Sequence, residues 1–126
     1  MTRRTKSRGM SDAAIIRFAT EFRAGILDGG PSDMMCFAVC APLASMLRLS
    51  GVETELVESD LGEVNHYWLR LADGRVLDPT ADQFNGCNAE QMPPVYLGLP
   101  TKLHTAIQSR SKYPARSARR SLYRVE

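Results

Sequence analysis

The sequence predicts an α+β domain in which a cysteine-bearing helix packs on a small antiparallel β-sheet of three or four strands. Three observations support this fold class. Apolar residues recur at helical spacing early in the chain, and a mostly apolar run at residues 35–51 carries two cysteines. Short segments typical of strands follow at residues 52–57, 64–71 and 75–77. Because the chain has 126 residues, we expect a single domain.

The first helix is predicted to begin at Ser11, a residue type that caps helix N-termini. Residues 29–31, Gly-Gly-Pro, should end it. The apolar stripe that faces the core comprises Ile15, Phe18, Phe22 and Ile26.

The second helix carries the cysteines, and we expect Asp33 to cap it. Pro42 complicates this helix, because an interior proline loses one backbone hydrogen bond and clashes with the preceding turn. Either the helix is kinked at Pro42, or its regular part begins at Ala41. The choice decides whether Cys36 or Cys40 lies at the helix N-terminus.

Two strands are predicted to form a hairpin, and its loop length decides which side chains share a face. A two-residue loop at residues 73–74 would place His66 and Asp78 on opposite faces of the sheet. A three-residue loop would place both on one face together with Trp68. The longer loop requires a left-handed residue at its third position, and Gly74 can supply it.

Charge is distributed unevenly along the chain. Residues 11–101 hold five basic and thirteen acidic residues, a net charge of −8, whereas the two ends hold eleven basic residues and one acidic residue, a net charge of +10. We therefore divide the chain into a disordered basic tail (1–10), a folded domain (11–100) and a basic, partly helical or disordered segment (101–126). The tails are either simply solvated or contact nucleic acid or an acidic partner. We expect residues 11–101 to fold without them.

Other features limit the compartment and the partners. No apolar run approaches the roughly 20 residues of a membrane-spanning helix, so we expect no membrane partner. The basic N-terminus is not followed by an apolar stretch, so we do not expect export. Three cysteines is an odd count that fits free thiols in the cytoplasm.

A thiol, an imidazole and a carboxylate follow one another as Cys36, His66 and Asp78. A thiol nucleophile, its base and the group that orients the base require such a set. Each residue also has a structural interpretation: Cys36 as a small core residue, His66 as a structural or exposed strand histidine, and Asp78 as a turn residue before Pro79. Cys40, one helical turn beyond Cys36, is better explained as core.

These motifs together resemble the transglutaminase-like (papain-like) thiol superfamily. In that pattern a cysteine opens a helix and a glycine starts a strand about fifteen residues later, which Cys36 and Gly51 match and Cys40 does not. Residues 66–68, His-Tyr-Trp, resemble the superfamily's His-x-Trp strand. Residues 77–80 resemble its Asp-Pro-Thr strand.

The resemblance implies Cys36 as nucleophile, His66 as base and Asp78 as the orienting carboxylate, without a cofactor or a metal. It implies acyl transfer from an amide or ester of a protein or peptide substrate, through a thioester. Hydrolysis by a peptidase, isopeptidase or deamidase is favoured over cross-linking, because water is always available. The candidates for oxyanion or substrate contact are Asn65, Trp68 and Gln83.

Two alternatives remain open at this point. One is a zinc site built from Cys36, Cys40, Cys87 and either His66 or His104, although Cys-x-x-x-Cys on a helix is a poor spacing for structural zinc. The other is a catalytically inactive binding module of the same fold. Such a module would contact nucleic acid or an acidic partner through its basic ends.

Overall fold

The computed structural model describes residues 9–86 and 91–110, which form an α+β fold. The predicted α+β class is confirmed, as is the packing of the cysteine-bearing helix on an antiparallel sheet. Residues 1–8, 87–90 and 111–126 lie outside the described part, and with them Cys87 and most of the basic residues of the two ends. In chain order the elements are α1 (Asp12–Leu27), α2 (Cys36–Leu49), β1 (Thr54–Asp60), β2 (Asn65–Leu71), β3 (Val76–Asp78), a 3₁₀ helix (Ala81–Phe84), β4 (Tyr96–Gly98), α3 (Lys102–Thr105) and β5 (Ile107–Arg110).

Helix α1 begins as the sequence predicts. The Ser11 hydroxyl accepts a hydrogen bond from the Ala14 backbone N–H at 3.1 Å, and this satisfies one of the free donors of the first turn. Ile15 and Ala19 are buried against the core, whereas Ile26, at the far end of the predicted stripe, is 38% exposed. The helix therefore leaves the core surface in its last turn.

Helix α2 begins at Cys36 and continues through Pro42 to Leu49, which places Cys36 at its N-terminus. The predicted cap is wrong: the residue before the helix is Met35, without a side-chain hydrogen bond, and Asp33 lies too far back to cap it. The reason is a turn in which the Met35 N–H donates to the Ser32 carbonyl at 3.0 Å.

The sheet has the order β4-β3-β2-β1-β5, and every neighbouring pair is antiparallel. Leu69 lies opposite Leu77, the register that a three-residue hairpin loop produces. Gly74 supplies the left-handed residue of that loop, with φ 92°. Of the two loops that the sequence allows, the three-residue loop is the one that forms, and His66 and Asp78 lie on one face.

The two faces of the sheet are covered by different parts of the chain. Leu69 and Leu77 contribute to the main core, which α1 and α2 close on one face. Trp68 and Val76 belong to a second cluster on the other face, together with Val57. Within the described residues, no helix combines the length and apolar character needed to cross a membrane.

The sheet has five strands, whereas the sequence predicts three or four. Strand β5 pairs with the edge of β1, from Asp60 opposite Ile107 to Val57 opposite Arg110. Just before it, Leu103 and His104 of α3 are buried. These contacts make residues 101–110 part of the described fold.

We predict that a chain ending at Thr101 is less stable than a chain ending at residue 110, by about 3 kcal/mol or more. The shorter chain loses the pairing of β1 with β5 and a buried histidine that donates to a buried carboxylate. Urea unfolding of the two truncated chains measures the difference. Equal free energies of unfolding would contradict the role of α3 and β5 in the fold.

Candidate active site

Cys36 lies at the N-terminus of α2, in the wall of a cavity, and is 7% exposed. Burial raises the pKa of its thiol. Hydrogen bonds with the His66 ring, the Tyr67 backbone and the Gln83 side chain outweigh that effect, so the pKa lies below the ordinary value. The helix N-terminus favours a negative charge at the same place. The surroundings of Cys36 therefore favour the thiolate.

His66 is fully buried in β2 and bonds to Asp78 through its Nε2, at 2.7 Å from Oδ2. Nδ1 is then the nitrogen available to accept a proton from Cys36. Burial lowers the pKa of the imidazole, but Asp78 and Cys36 together raise it to about 9. His66 thus has the partner and the orientation that a base for the thiol requires.

Asp78 is also fully buried, and it accepts hydrogen bonds on both carboxylate oxygens. Oδ2 bonds with the Nε2 atoms of His66 and His104, each at 2.7 Å, and Oδ1 accepts from the Thr80 backbone N–H at 3.2 Å. Burial raises the pKa of this carboxyl, but the two histidines hold it at about 2. The carboxylate remains ionised despite its burial.

The sequence suggests His104 only as an alternative ligand of a zinc site. Its contact with Asp78 is not predicted, because His104 follows Asp78 by 26 residues and lies on a different element. Its Nδ1 accepts a hydrogen bond from the Thr101 backbone N–H at 3.1 Å. No local sequence motif marks this residue; only the packing of α3 brings it to Asp78.

His66, Asp78 and His104 form a group whose potential ligand atoms lie within 4.8 Å of one another, so a metal site must be considered. The hydrogen bonds argue against it. The backbone N–H of Thr101 can only donate, so the Nδ1 of His104 carries no proton. The proton of the neutral ring is therefore on Nε2, the atom that would have to bind the metal. Among the described residues, no such group includes Cys36 or Cys40.

Gln83, on the 3₁₀ helix, connects the loop before α2 with the ring of His66. Its Oε1 accepts from the Met34 backbone N–H at 3.2 Å. Its Nε2 donates to the Thr80 hydroxyl at 3.0 Å and lies 3.2 Å from the Nδ1 of His66. Because the same side chain lowers the pKa of Cys36, its amide N–H lies where negative charge develops.

The 3₁₀ helix is held in place by a half-buried arginine from α1. Arg23 donates to both carboxylate oxygens of Asp82, at 2.9 and 3.1 Å, and to the carbonyls of Pro79 and Pro94 at 3.1 Å. The Ser32 hydroxyl donates to the same carboxylate at 2.9 Å. This bidentate pair fixes the position of the residue next to Gln83.

Cys40 lies one helical turn beyond Cys36 in very different surroundings. It is fully buried, and its thiol donates to the Tyr67 carbonyl at 3.4 Å. Burial raises the pKa of this thiol well above the ordinary value, and the nearby charges of Asp78 and Cys36 raise it further. The structure thus agrees with the assignment of Cys40 to the core.

The two remaining predicted contact residues differ in position. Asn65 lines the cavity, and its amide donates to Glu58 at 2.6 Å. Trp68 is 1% exposed, and its indole N–H donates to the Ser59 hydroxyl at 2.9 Å. Since its polar atom is bonded within the fold, Trp68 lies in the core and does not line the cavity that contains Cys36.

That cavity has a volume of about 380 Å³ and is mainly apolar. Its lining residues are Met34, Cys36, Phe37, Glu63, Val64, Asn65, Tyr67, Gln83 and Phe84. Glu63 is the one carboxylate among them. The cavity can therefore admit an apolar group to the thiol and favours a neutral or cationic ligand over an anion.

No protein-family model, no curated protein and no solved structure matches this chain. The chemistry of the site therefore has to be inferred from its own residues. They bring together a thiol of lowered pKa, an imidazole of raised pKa and an ionised carboxylate. Such a set can form a nucleophilic thiolate and move its proton.

We predict that Cys36→Ala loses stability as the pH rises above about 6.5, because its His66 is still paired with Asp78, which raises the pKa of the imidazole. A pKa that is raised by folding gives stability that is full below the unfolded value of 6.5 and is lost as the pH rises through the folded value. Thermal unfolding across this range measures the loss.

The matched control adds Asp78→Asn to Cys36→Ala and should remove most of this slope. In the unsubstituted chain the slope should be smaller, because the proton on His66 is the one that Cys36 releases. A flat stability profile in Cys36→Ala would show that Asp78 does not hold a protonated His66.

Proposed function

We propose that this protein is a thiol-dependent acyl-transfer enzyme that acts on an amide or ester through a thioester on Cys36. One observation carries the proposal: Cys36, at a helix N-terminus, contacts a His66 ring whose other nitrogen bonds to the buried Asp78 carboxylate. The transglutaminase-like resemblance of the motifs is consistent with this chemistry.

The first half of the reaction forms the thioester. The thiol proton of Cys36 moves to Nδ1 of His66, giving a thiolate and an imidazolium that Asp78 stabilises. The thiolate attacks the carbonyl carbon of the substrate and forms a tetrahedral oxyanion. As this intermediate collapses, His66 returns the proton to the leaving amine or alcohol.

Two N–H donors are available for the oxyanion. The backbone N–H of Cys36 is in the first turn of α2, where backbone donors have no acceptor within the helix. The Nε2 of Gln83 lies beside the thiol and the His66 ring. Together they would form an oxyanion hole of one backbone and one side-chain donor.

The second half of the reaction releases the acyl group. Water, activated by the now neutral His66, attacks the thioester, and the products are a carboxylic acid and the free thiol. Hydrolysis of a peptide, an isopeptide or a side-chain amide is the form we propose, because it requires only water as the acceptor. Transfer to an amine would follow the same steps with a different acceptor.

The cavity next to Cys36 suggests the kind of acyl group. Its apolar lining, with Phe37, Tyr67 and Phe84, fits an apolar side chain of a protein or peptide substrate. Glu63 favours a substrate that is neutral or positively charged near the scissile bond.

We predict that Cys36 reacts with iodoacetamide at pH 7 at least about tenfold faster than Cys40, since each unit of pKa difference changes the thiolate fraction about tenfold. The experiment uses chains with Cys87→Ser and locates the label by peptide mass spectrometry. Cys36→Ala should abolish the fast labelling, and it should abolish the burst of p-nitrophenolate from p-nitrophenyl acetate.

Cys40→Ala is the matched control, and it should reduce stability but keep the fast labelling and the burst. Labelling that vanishes only in Cys40→Ala would reverse the assignment. A folded chain with no fast thiol would favour an inactive binding module. Labelling that appears only after chelation would favour a metal site.

We predict that Gln83→Met slows acylation by p-nitrophenyl acetate about 10²-fold or more, the scale for loss of one oxyanion donor. Alkylation by iodoacetamide forms no oxyanion and should slow far less. The ratio of the two rates, measured in Gln83→Met and in the unsubstituted chain, separates the effects. Equal slowing of both reactions would mean that Gln83 acts only on the thiolate.

A further inference from the structure

We propose that His104 is a positioning residue that holds the Asp78 carboxylate against the ring of His66 and does so as a neutral donor. This inference rests on the proposed function, in which His66 takes the proton of Cys36. His104 lies 26 residues beyond Asp78, and its Nε2 lies 2.7 Å from the same Oδ2 atom that bonds to His66.

The protonation of His104 follows from its second partner. Its Nδ1 lies 3.1 Å from the Thr101 backbone nitrogen and accepts a hydrogen bond from that N–H, as part of the cap of α3. A nitrogen that accepts from a backbone N–H carries no proton of its own, so the single ring proton is on Nε2. Nε2 therefore donates to Asp78.

The ring itself is fixed by packing. His104 is fully buried, with Trp68 against it edge to face at 5.0 Å and Tyr96 stacked on it at 5.9 Å. The Gln108 side-chain amide donates to its backbone carbonyl. A ring held on several sides can fix the direction of the hydrogen bond that it donates.

Two imidazoles thus share one carboxylate oxygen but are not equivalent. Protonation of His104 at Nδ1 would place its new N–H against the Thr101 N–H, whereas the Nδ1 of His66 faces the thiol of Cys36. The proton that leaves the thiol is therefore taken by His66 alone.

The charges of Asp78 and Cys36 also raise the pKa of the Cys40 thiol, which is fully buried.

The test compares two substitutions of His104 in the full chain, one that keeps a ring and one that keeps a donor. His104→Phe keeps a ring between Trp68 and Tyr96 but removes the donor, whereas His104→Gln keeps an N–H near the position of Nε2. The readout is the rate of Cys36 alkylation by iodoacetamide as a function of pH, with the melting temperature recorded for each variant.

We expect His104→Phe to raise the apparent pKa of Cys36 by about one unit, so that alkylation at pH 6 slows about tenfold. His104→Gln should restore most of the original profile. An unchanged profile in His104→Phe would overturn the proposal. Equal shifts in both variants would also overturn it, because an N–H retained near the position of Nε2 would then make no difference to the pKa of Cys36.

A second measurement needs no variant. The ¹⁵N chemical shifts of the His104 ring at pH 7 should show an unprotonated Nδ1 and a protonated Nε2. A proton on Nδ1 would overturn the proposal. If Cys36 itself proves unreactive, the proposed function fails, and the tautomer of His104 is still decided by this spectrum.

Discussion

The buried carboxylate of Asp78 is the group on which the rest of the site depends. An ionised carboxylate without partners in the interior would cost several kcal/mol, so the fold must supply donors to it. It does so from three separate places: β2 through His66, α3 through His104, and the chain after β3 through the Thr80 backbone. The two histidines hold the pKa of Asp78 at about 2 although the group is fully buried. The Asp78 carboxylate thus bonds to three segments of the chain and also orients the His66 imidazole beside the Cys36 thiol.

The environment of each thiol explains why two cysteines on one helix differ. Both contact the Tyr67 backbone, since the thiol of Cys40 donates to its carbonyl and the pKa of Cys36 is lowered by a hydrogen bond with it. Cys36 has in addition His66, Gln83 and the open end of α2, all of which favour a thiolate. Cys40 is fully buried, and the nearby negative charges of Asp78 and Cys36 oppose its ionisation. One helical turn thus separates a thiol whose pKa is lowered from one whose pKa is raised.

The side chains of the site are held in place by residues that contribute no thiol, imidazole or carboxylate to it. Helix α1 contributes Arg23, whose bidentate bond to Asp82 holds the 3₁₀ helix and so the amide of Gln83. The second face of the sheet contributes Trp68, which bonds to Ser59 and packs on His104. Geometry at a catalytic centre is maintained by such packing and secondary hydrogen bonds, because the reacting groups alone cannot fix their own positions.

The sequence by itself determined the helix that starts with a cap at Ser11 and the α+β class, and it limited the hairpin to two registers, one of which Gly74 permits. These features follow from local chemistry: a hydroxyl next to free N–H groups, apolar periodicity, and a glycine that tolerates φ 92° in a three-residue loop. Only the tertiary structure decided the start of α2, because the turn before it overrides the capping preference of Asp33. It also decided that His104 meets Asp78 and that Trp68 is buried. Those contacts join residues far apart in the chain, and a single sequence carries no local signal for a contact created by the packing of α3 on the sheet.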